Sequence, residues 1–213
     1  MKYKAAIFDL DGTVVSDEDE YGEAFNVVLK RFGIDTGLSY PHVSGIGVEE
    51  NWIKFKKKYK SKLKKTVDEL SQDTQKEYLK LIHRIRPKNG FIEFAEMIRE
   101  KGIKTALATS NSWSVTDKIL EKLGIEEYFD CITTAEEVEY KKPDPHIFDI
   151  SVEKLGIPSN ECIVFEDSQA GVEAAKLLGM KVVAFYRNPK HKKTLKKADL
   201  ILEDFTEFDF EDI

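Results

Sequence analysis

The chain has 213 residues, 41% hydrophobic and 34% charged, with a formal net charge of −6. That is apolar material enough for one large domain or for a core with an insertion, and the acidic balance speaks against general nucleic-acid binding. No apolar run approaches the roughly 20 residues that a membrane-spanning helix needs.

Met1-Lys2-Tyr3-Lys4 leads into a strand-like segment with no signal-peptide pattern. Cys131 and Cys162, the two cysteines, sit in apolar strand-like stretches and read as reduced core residues. A cytoplasmic protein with no membrane partner, a monomer or small homo-oligomer, is expected.

Residues 3–8 read as a short buried strand that ends in Asp9-Leu10-Asp11-Gly12-Thr13. Side chains alternate along an extended segment, so Asp9 and Asp11 leave the strand end in roughly one direction. Two carboxylates that close repel unless a cation lies between them or they share a proton. The stretch is therefore either a metal or acid/base site, or simply a turn in which Asp caps and Gly takes positive φ.

From Asp17 the pattern is helical, with Tyr21, Phe25, Val28, Leu29 and Phe32 at three- and four-residue spacing up to Gly33. Leu38 to Gly47 is a loop. Residues 49–66 carry Trp52, Phe55, Tyr59 and Leu63 among eight lysines between Lys54 and Lys65, which predicts a helix with a solvated basic face. Residues 71–86 form another helix, broken by Pro87 and Gly90.

Thereafter strands and helices alternate: helix 92–101, strand 104–108, a helix from 111 to 123, strand 131–133 and helix 145–155. Strand 162–165, helix 170–178, strand 181–186, a basic helix over 190–197, strand 199–202 and an acidic tail complete the chain. This rhythm predicts an α/β fold, a Rossmann-like three-layer core with a parallel sheet. The helical block interrupts it directly after the first strand. The expected division is residues 1–15 and 87–213 as the core, with 16–86 as an inserted all-helical cap domain.

In open α/β sheets ligands bind beyond the carboxyl ends of the strands. Those ends carry Asp9 and Asp11; Thr109, Ser110 and Asn111 at a helix start; Lys142; and Glu166 with Asp167. The set fits phosphoryl transfer. Asp9 or Asp11, with Glu166 or Asp167, offers carboxylates for Mg²⁺, while Thr109 and Lys142 offer a hydroxyl and a cation to phosphate oxygens. One aspartate would attack phosphorus and its neighbour two residues away would protonate the leaving alcohol.

Phe-Asp-Leu-Asp-Gly-Thr (8–13), Ala-Thr-Ser-Asn (108–111), Lys-Pro-Asp-Pro (142–145) and Phe-Glu-Asp-Ser-Gln-Ala-Gly (165–171) resemble, in order and spacing, the four motifs of the haloacid dehalogenase superfamily. The branch most resembled contains beta-phosphoglucomutase and phosphoglycolate phosphatase, and the resemblance spans residue 5 to about 186. It implies Asp9 as nucleophile and Asp11 as general acid/base. It also implies Thr109 and the Ser110 amide as phosphate ligands, Lys142 as the stabilising cation, and Mg²⁺ held by Asp9, the Asp11 carbonyl, Asp167 and Glu166. Asp11 itself separates the chain from the superfamily's dehalogenases, which lack a carboxylate there.

Other polar residues read as structural. Asp144 is expected to form a turn and Ser168 to cap the following helix, while Asn111 either contacts substrate or caps its own helix. His42, His83, His146 and His191 have no metal-ligand partners in sequence and read as surface or packing residues. Lys190–Lys197 reads as an exposed face.

The mutases resembled here use a His and an Arg in and near the cap; this chain has Tyr21 in place of the first, and no His between 14 and 41. The expected function is thus a Mg²⁺-dependent phosphatase of a small phosphorylated metabolite, with a sugar phosphate mutase as the alternative. A non-catalytic nucleotide or nucleic-acid binder using Lys54–Lys65 is the alternative of another class. A dinucleotide-dependent oxidoreductase is disfavoured because no Gly-x-Gly-x-x-Gly follows the first strand.

Overall fold

The computed structural model describes residues 2–43 and 45–212; Met1 of the amino-terminal run, Ser44 of the loop and Ile213 of the tail lie outside the described residues. In chain order the elements are β1 (Ala5–Phe8), β2 (Val15–Ser16), α1 (Glu18–Arg31), α2 (Val48–Lys58), α3 (Val67–Leu81) and β3 (Arg86–Pro87). Then follow α4 (Phe91–Glu100), β4 (Lys104–Ala108), α5 (Trp113–Leu123), β5 (Cys131–Thr133) and α6 (His146–Leu155). The series ends with β6 (Cys162–Glu166), α7 (Gln169–Leu177), β7 (Lys181–Phe185), α8 (Pro189–Lys192) and β8 (Leu200–Leu202).

Six strands form one sheet in the order β5-β4-β1-β6-β7-β8, every neighbouring pair parallel. The alternation along each strand divides the core in two. Phe8, Leu107, Phe165 and Phe185 point to one face and pack against Phe91, Phe94 and Ile98 of α4 and Ile119 of α5. Ile7, Ala106, Val164 and Val182 point to the other and meet Phe148 of α6 and Val172 of α7. The Rossmann-like three-layer α/β core expected from the rhythm is therefore what the chain forms.

Chain order reverses at β1: β4 and β5 lie to one side of it, β6 to β8 to the other. A crevice opens at the carboxyl end of such a switch point. Strands are about 4.8 Å apart, so whatever follows β1, β4 and β6 must meet there.

The chain leaves the sheet after β1 and returns through the short antiparallel pair β2–β3. Between them α1, α2 and α3 pack around Phe25, Trp52, Phe55, Leu70 and Tyr78. Trp52 is fully buried and donates to Thr74 Oγ1 at 2.9 Å, so it is a packing residue.

Several boundaries differ from expectation, among them the end of the helix expected over 71–86, which stops at Leu81. The basic helix stops at Lys58, because the chain turns through residues 59–65 to start α3 at Val67, four residues before the expected start. That start is set by a capping box: Thr66 Oγ1 accepts from the Glu69 amide at 3.1 Å, and Glu69 accepts from the Thr66 amide at 2.8 Å. The second basic helix, expected over 190–197, shrinks to the four residues of α8.

The acidic tail is also more than a tail. Phe205 is buried against Phe8, Phe91, Phe94, Phe165 and Phe185, and Phe208 and Phe210 pack on Phe94. No described helix is long and apolar enough to cross a membrane.

Candidate active site

Asp9 follows β1 with its amide held by the Phe165 carbonyl of β6 at 3.0 Å. Its carboxylate Oδ1 accepts from Lys142 Nζ at 2.6 Å, and the same ammonium donates to Glu166 Oε1 at 2.7 Å and to the Ala108 carbonyl at 3.2 Å. Lys142, 3% exposed, thus ties together the ends of β1, β4 and β6. Burial alone would lower its pKa, but the Asp9 and Glu166 carboxylates outweigh that and hold it above the ordinary lysine value.

The remaining oxygen of Glu166, Oε2, accepts from the Asp167 amide (2.9 Å), the Ser168 amide (2.7 Å) and the Ser168 hydroxyl (2.8 Å). Ser168 also accepts from the Gly171 amide at 2.9 Å and caps α7 as expected. Only glycine fits at position 171, since a Cβ there would stand 1.7 Å from Glu166 Oε1.

Asp167 is the odd member. It is wholly buried, yet among the described residues no donor reaches Oδ1 or Oδ2. The turn at Gly12 (φ +81°) brings its backbone so close that a Cβ would lie 2.3 Å from Asp167 Oδ2. Asp9, Glu166 and Asp167 offer oxygens within 4.8 Å of one another. Three carboxylates face one ammonium, which leaves two negative charges when all are ionised. Burial, with Glu18, Glu166 and Asp9 adding to it, pushes the Asp167 carboxyl well above the ordinary range. Burial does the same to Asp9, against the pull of Lys142. Unclaimed buried oxygens and a twofold charge deficit fit a hard divalent cation.

Asp11 stands apart from this cluster. Asn111 Nδ2 donates to both its oxygens, at 3.0 and 2.8 Å, and Asn111 Oδ1 accepts from the Tyr21 hydroxyl at 2.7 Å. Asn111 therefore neither caps α5, where Ser112 is the N-cap, nor points freely at a substrate; it orients Asp11. Asp17, 1% exposed, was not anticipated. It accepts from the Tyr78 hydroxyl at 2.6 Å, and burial followed by the charge of Asp11 raises its pKa well above the carboxylate range. Burial raises Asp11 as well, with the Asn111 amide acting in the opposite direction.

Asp9, Asp11, Ser110 and Asn111 line one side of a cavity, and Glu18, Tyr21, His42 and Asn51 line the other. Thr109 lies fully buried at the same sheet edge, its hydroxyl accepting from the Asn111 amide at 3.1 Å. Asp144 accepts from the His146 amide at 3.0 Å at the start of α6, a turn role as expected.

A surface or packing role is expected for His42. Its ring stacks on Phe25 with centroids 5.0 Å apart, and Nε2 lies 3.2 Å from Glu18 Oε2, an oxygen also met by Arg187 at 2.5 Å. An imidazole at the cavity and a guanidinium beside it thus come from outside the stretch between 14 and 41 in which the sequence has no His.

Residues 6–185 match the family model for haloacid dehalogenase-like hydrolases. A phosphorylated carbohydrates phosphatase of Thermotoga maritima is 32% identical over 184 residues, covering 83% of this chain and 82% of the relative. A crystal structure of beta-phosphoglucomutase from Clostridium difficile superimposes with a TM-score of 0.84 at 26% identity, covering 98% and 94% of the two chains. CbbY from Rhodobacter sphaeroides, solved in complex with phosphate, shares the fold at a TM-score of 0.84 and 24% identity over 96% of each chain. The chain belongs to the family of haloacid dehalogenase-like hydrolases and is an enzyme.

Proposed function

We propose that this enzyme is a Mg²⁺-dependent phosphatase of small phosphorylated carbohydrates, working through an aspartyl-phosphate on Asp9. The observation that carries the reading is Lys142 clamped between Asp9 and Glu166, with the unpartnered Asp167 carboxylate alongside. The carbohydrate preference rests on the name of the Thermotoga relative.

Asp9, Asp167 and the Asp11 carbonyl would hold the cation, with Glu166, whose oxygens are already engaged, chiefly orienting Lys142. When bound, Mg²⁺ supplies charge neutralisation for the phosphoryl oxygens. The Asp9 carboxylate attacks phosphorus as the bond to the leaving oxygen breaks, and Asp11 delivers the proton that releases the alcohol. Water then attacks the acyl phosphate, Asp11 takes its proton, and inorganic phosphate leaves with Asp9 restored. Lys142 and the backbone amide of Ser110 offer charge and hydrogen bonds to the phosphoryl group, and Thr109 holds that turn in shape. Residues 16–86 would act as the cap, excluding bulk water and reading the sugar.

The test measures phosphate release from p-nitrophenyl phosphate and a panel of sugar monophosphates in Mg²⁺ and in EDTA. Activity that requires the metal and vanishes in Asp9→Asn is expected. Turnover that survives either removal refutes the mechanism, and conversion of glucose 1-phosphate to the 6-phosphate without phosphate release reassigns the enzyme as a mutase.

A further inference from the structure

Beside the catalytic cavity runs a second, wider groove, which shares Val48, Ser110 and Asn111 with it as a common wall. It lies between α3 and the amino end of α5, and besides Val48 and Ala135 its neutral lining is hydroxyl and amide, with Ser71, Gln72 and Gln75 on one side and Ser112 and Ser114 on the other. The Ser71 hydroxyl is the telling group. The residue is 5% exposed and lines the groove, while its Oγ, closed off from solvent in this packing, has no partner among the described residues. A buried hydroxyl left unpaired is costly, and a ligand hydroxyl that the Ser71 side chain turns toward the groove to meet would remove that cost.

Charge narrows the ligand class. Glu49, Asp68 and Glu136 line the groove, and the only lining cation among the described residues, Lys141, is held by Glu49 at 2.8 Å and Glu50 at 3.0 Å. Such a surface repels a second phosphate and suits uncharged hydroxyls.

We propose that this groove is a second subsite that binds an uncharged sugar ring beyond the phosphorylated one, so that the enzyme prefers disaccharide monophosphates over monosaccharide phosphates and over bisphosphates. The inference rests on the phosphatase reading above and adds the shape of the substrate. Because the shared wall carries Asn111, the partner of the proposed acid Asp11, the groove begins on the leaving-group side of the reacting phosphate.

The test compares kcat/KM for p-nitrophenyl phosphate, glucose 6-phosphate, fructose 1,6-bisphosphate and the 6-phosphates of trehalose, sucrose and maltose, in the native enzyme and in Gln75→Trp. At least one disaccharide phosphate is expected to exceed glucose 6-phosphate by about tenfold or more, on the scale of a few added hydrogen bonds. Gln75→Trp, which fills the groove, should erase that advantage while the aryl phosphate, too short to enter, keeps its rate within about twofold. Equal kcat/KM for mono- and disaccharide phosphates, preference for the bisphosphate, or an advantage that survives Gln75→Trp overturns the proposal.

Absence of all turnover would count against the phosphatase reading instead. Calorimetric titration of Asp9→Asn with the same sugars then decides the groove alone: tighter disaccharide binding lost on Gln75→Trp supports it, and equal binding overturns it.

Discussion

Replacing Asp167 by Asn should make the metal-free protein more stable, although it removes a residue proposed to be essential. The carboxylate is wholly buried, meets no donor among the described residues, and stands with Asp9 and Glu166 inside a 4.8 Å cluster. An unpaired buried polar group costs about 1–3 kcal/mol, more when charged. The amide removes one negative charge and brings two donors toward neighbouring carboxylates, so a gain of about 1–3 kcal/mol is expected. At about 2.1 cal/mol/K per residue the 213-residue chain unfolds with roughly 0.45 kcal/mol/K. The gain is then about 2–7 °C in Tm.

Mg²⁺ should narrow or reverse the difference. At a hundredfold excess over its Kd a ligand adds about 2.7 kcal/mol to the native protein, most of which the Asn variant forfeits. Thermal melts followed by circular dichroism, in EDTA and in Mg²⁺, read both effects. An Asn variant that melts at or below the native protein in EDTA, or that gains as much from Mg²⁺, refutes the account of Asp167 as an uncompensated cation ligand.

Removing the cation of the site should do the opposite. Lys142→Met leaves the Asp9 and Glu166 carboxylates buried and facing each other, and a loss of about 3–5 kcal/mol in urea unfolding is expected, together with loss of turnover; a loss under about 1 kcal/mol would contradict the clamp. Burial pushes the Cys162 thiol up to about 11, so it stays neutral until pH approaches that value. At pH 8 about 0.1% is thiolate, against roughly a quarter of a free cysteine. Iodoacetamide should therefore modify Cys162 slowly in the native protein and readily in urea, and native alkylation at the rate of a small thiol would be inconsistent with that burial.

Much of the site was legible because the fold rule that ligands gather beyond strand ends needs only the strands. Asp9, Asp11, Asn111, Lys142, Glu166 and Asp167 all follow from reading what comes after each apolar run. What was not legible is what arrives from far away in the chain. Asp17 read as the start of a helix, and nothing local says that it folds back beside Asp11 under Tyr78 of α3. Arg187 and His42, 145 positions apart, converge on Glu18 only once α1 is docked. The start of α3 was available in Thr66 and Glu69, whose three-residue spacing marks a capping box. The last residues misled through composition: alternating acids hid Phe205, Phe208 and Phe210, whose burial depends on a hydrophobic face that the rest of the chain must first assemble.

The hydrogen bonds around Asp11 set an order of events. Its frame is drawn from both halves of the molecule: Asn111 from the turn after β4, Tyr21 from α1, and Asp17 braced by Tyr78 of α3. Tyr21 and Tyr78 stack on each other at 3.9 Å, so the two helices carry them as a unit. If α1 and α3 lift away from the sheet, the proposed acid loses its bracing at the moment the cavity loses its roof. Under the proposed mechanism, proton delivery would be reserved for the seated arrangement, and a phosphate ester that failed to keep the helices seated would meet the proposed nucleophile without a working acid.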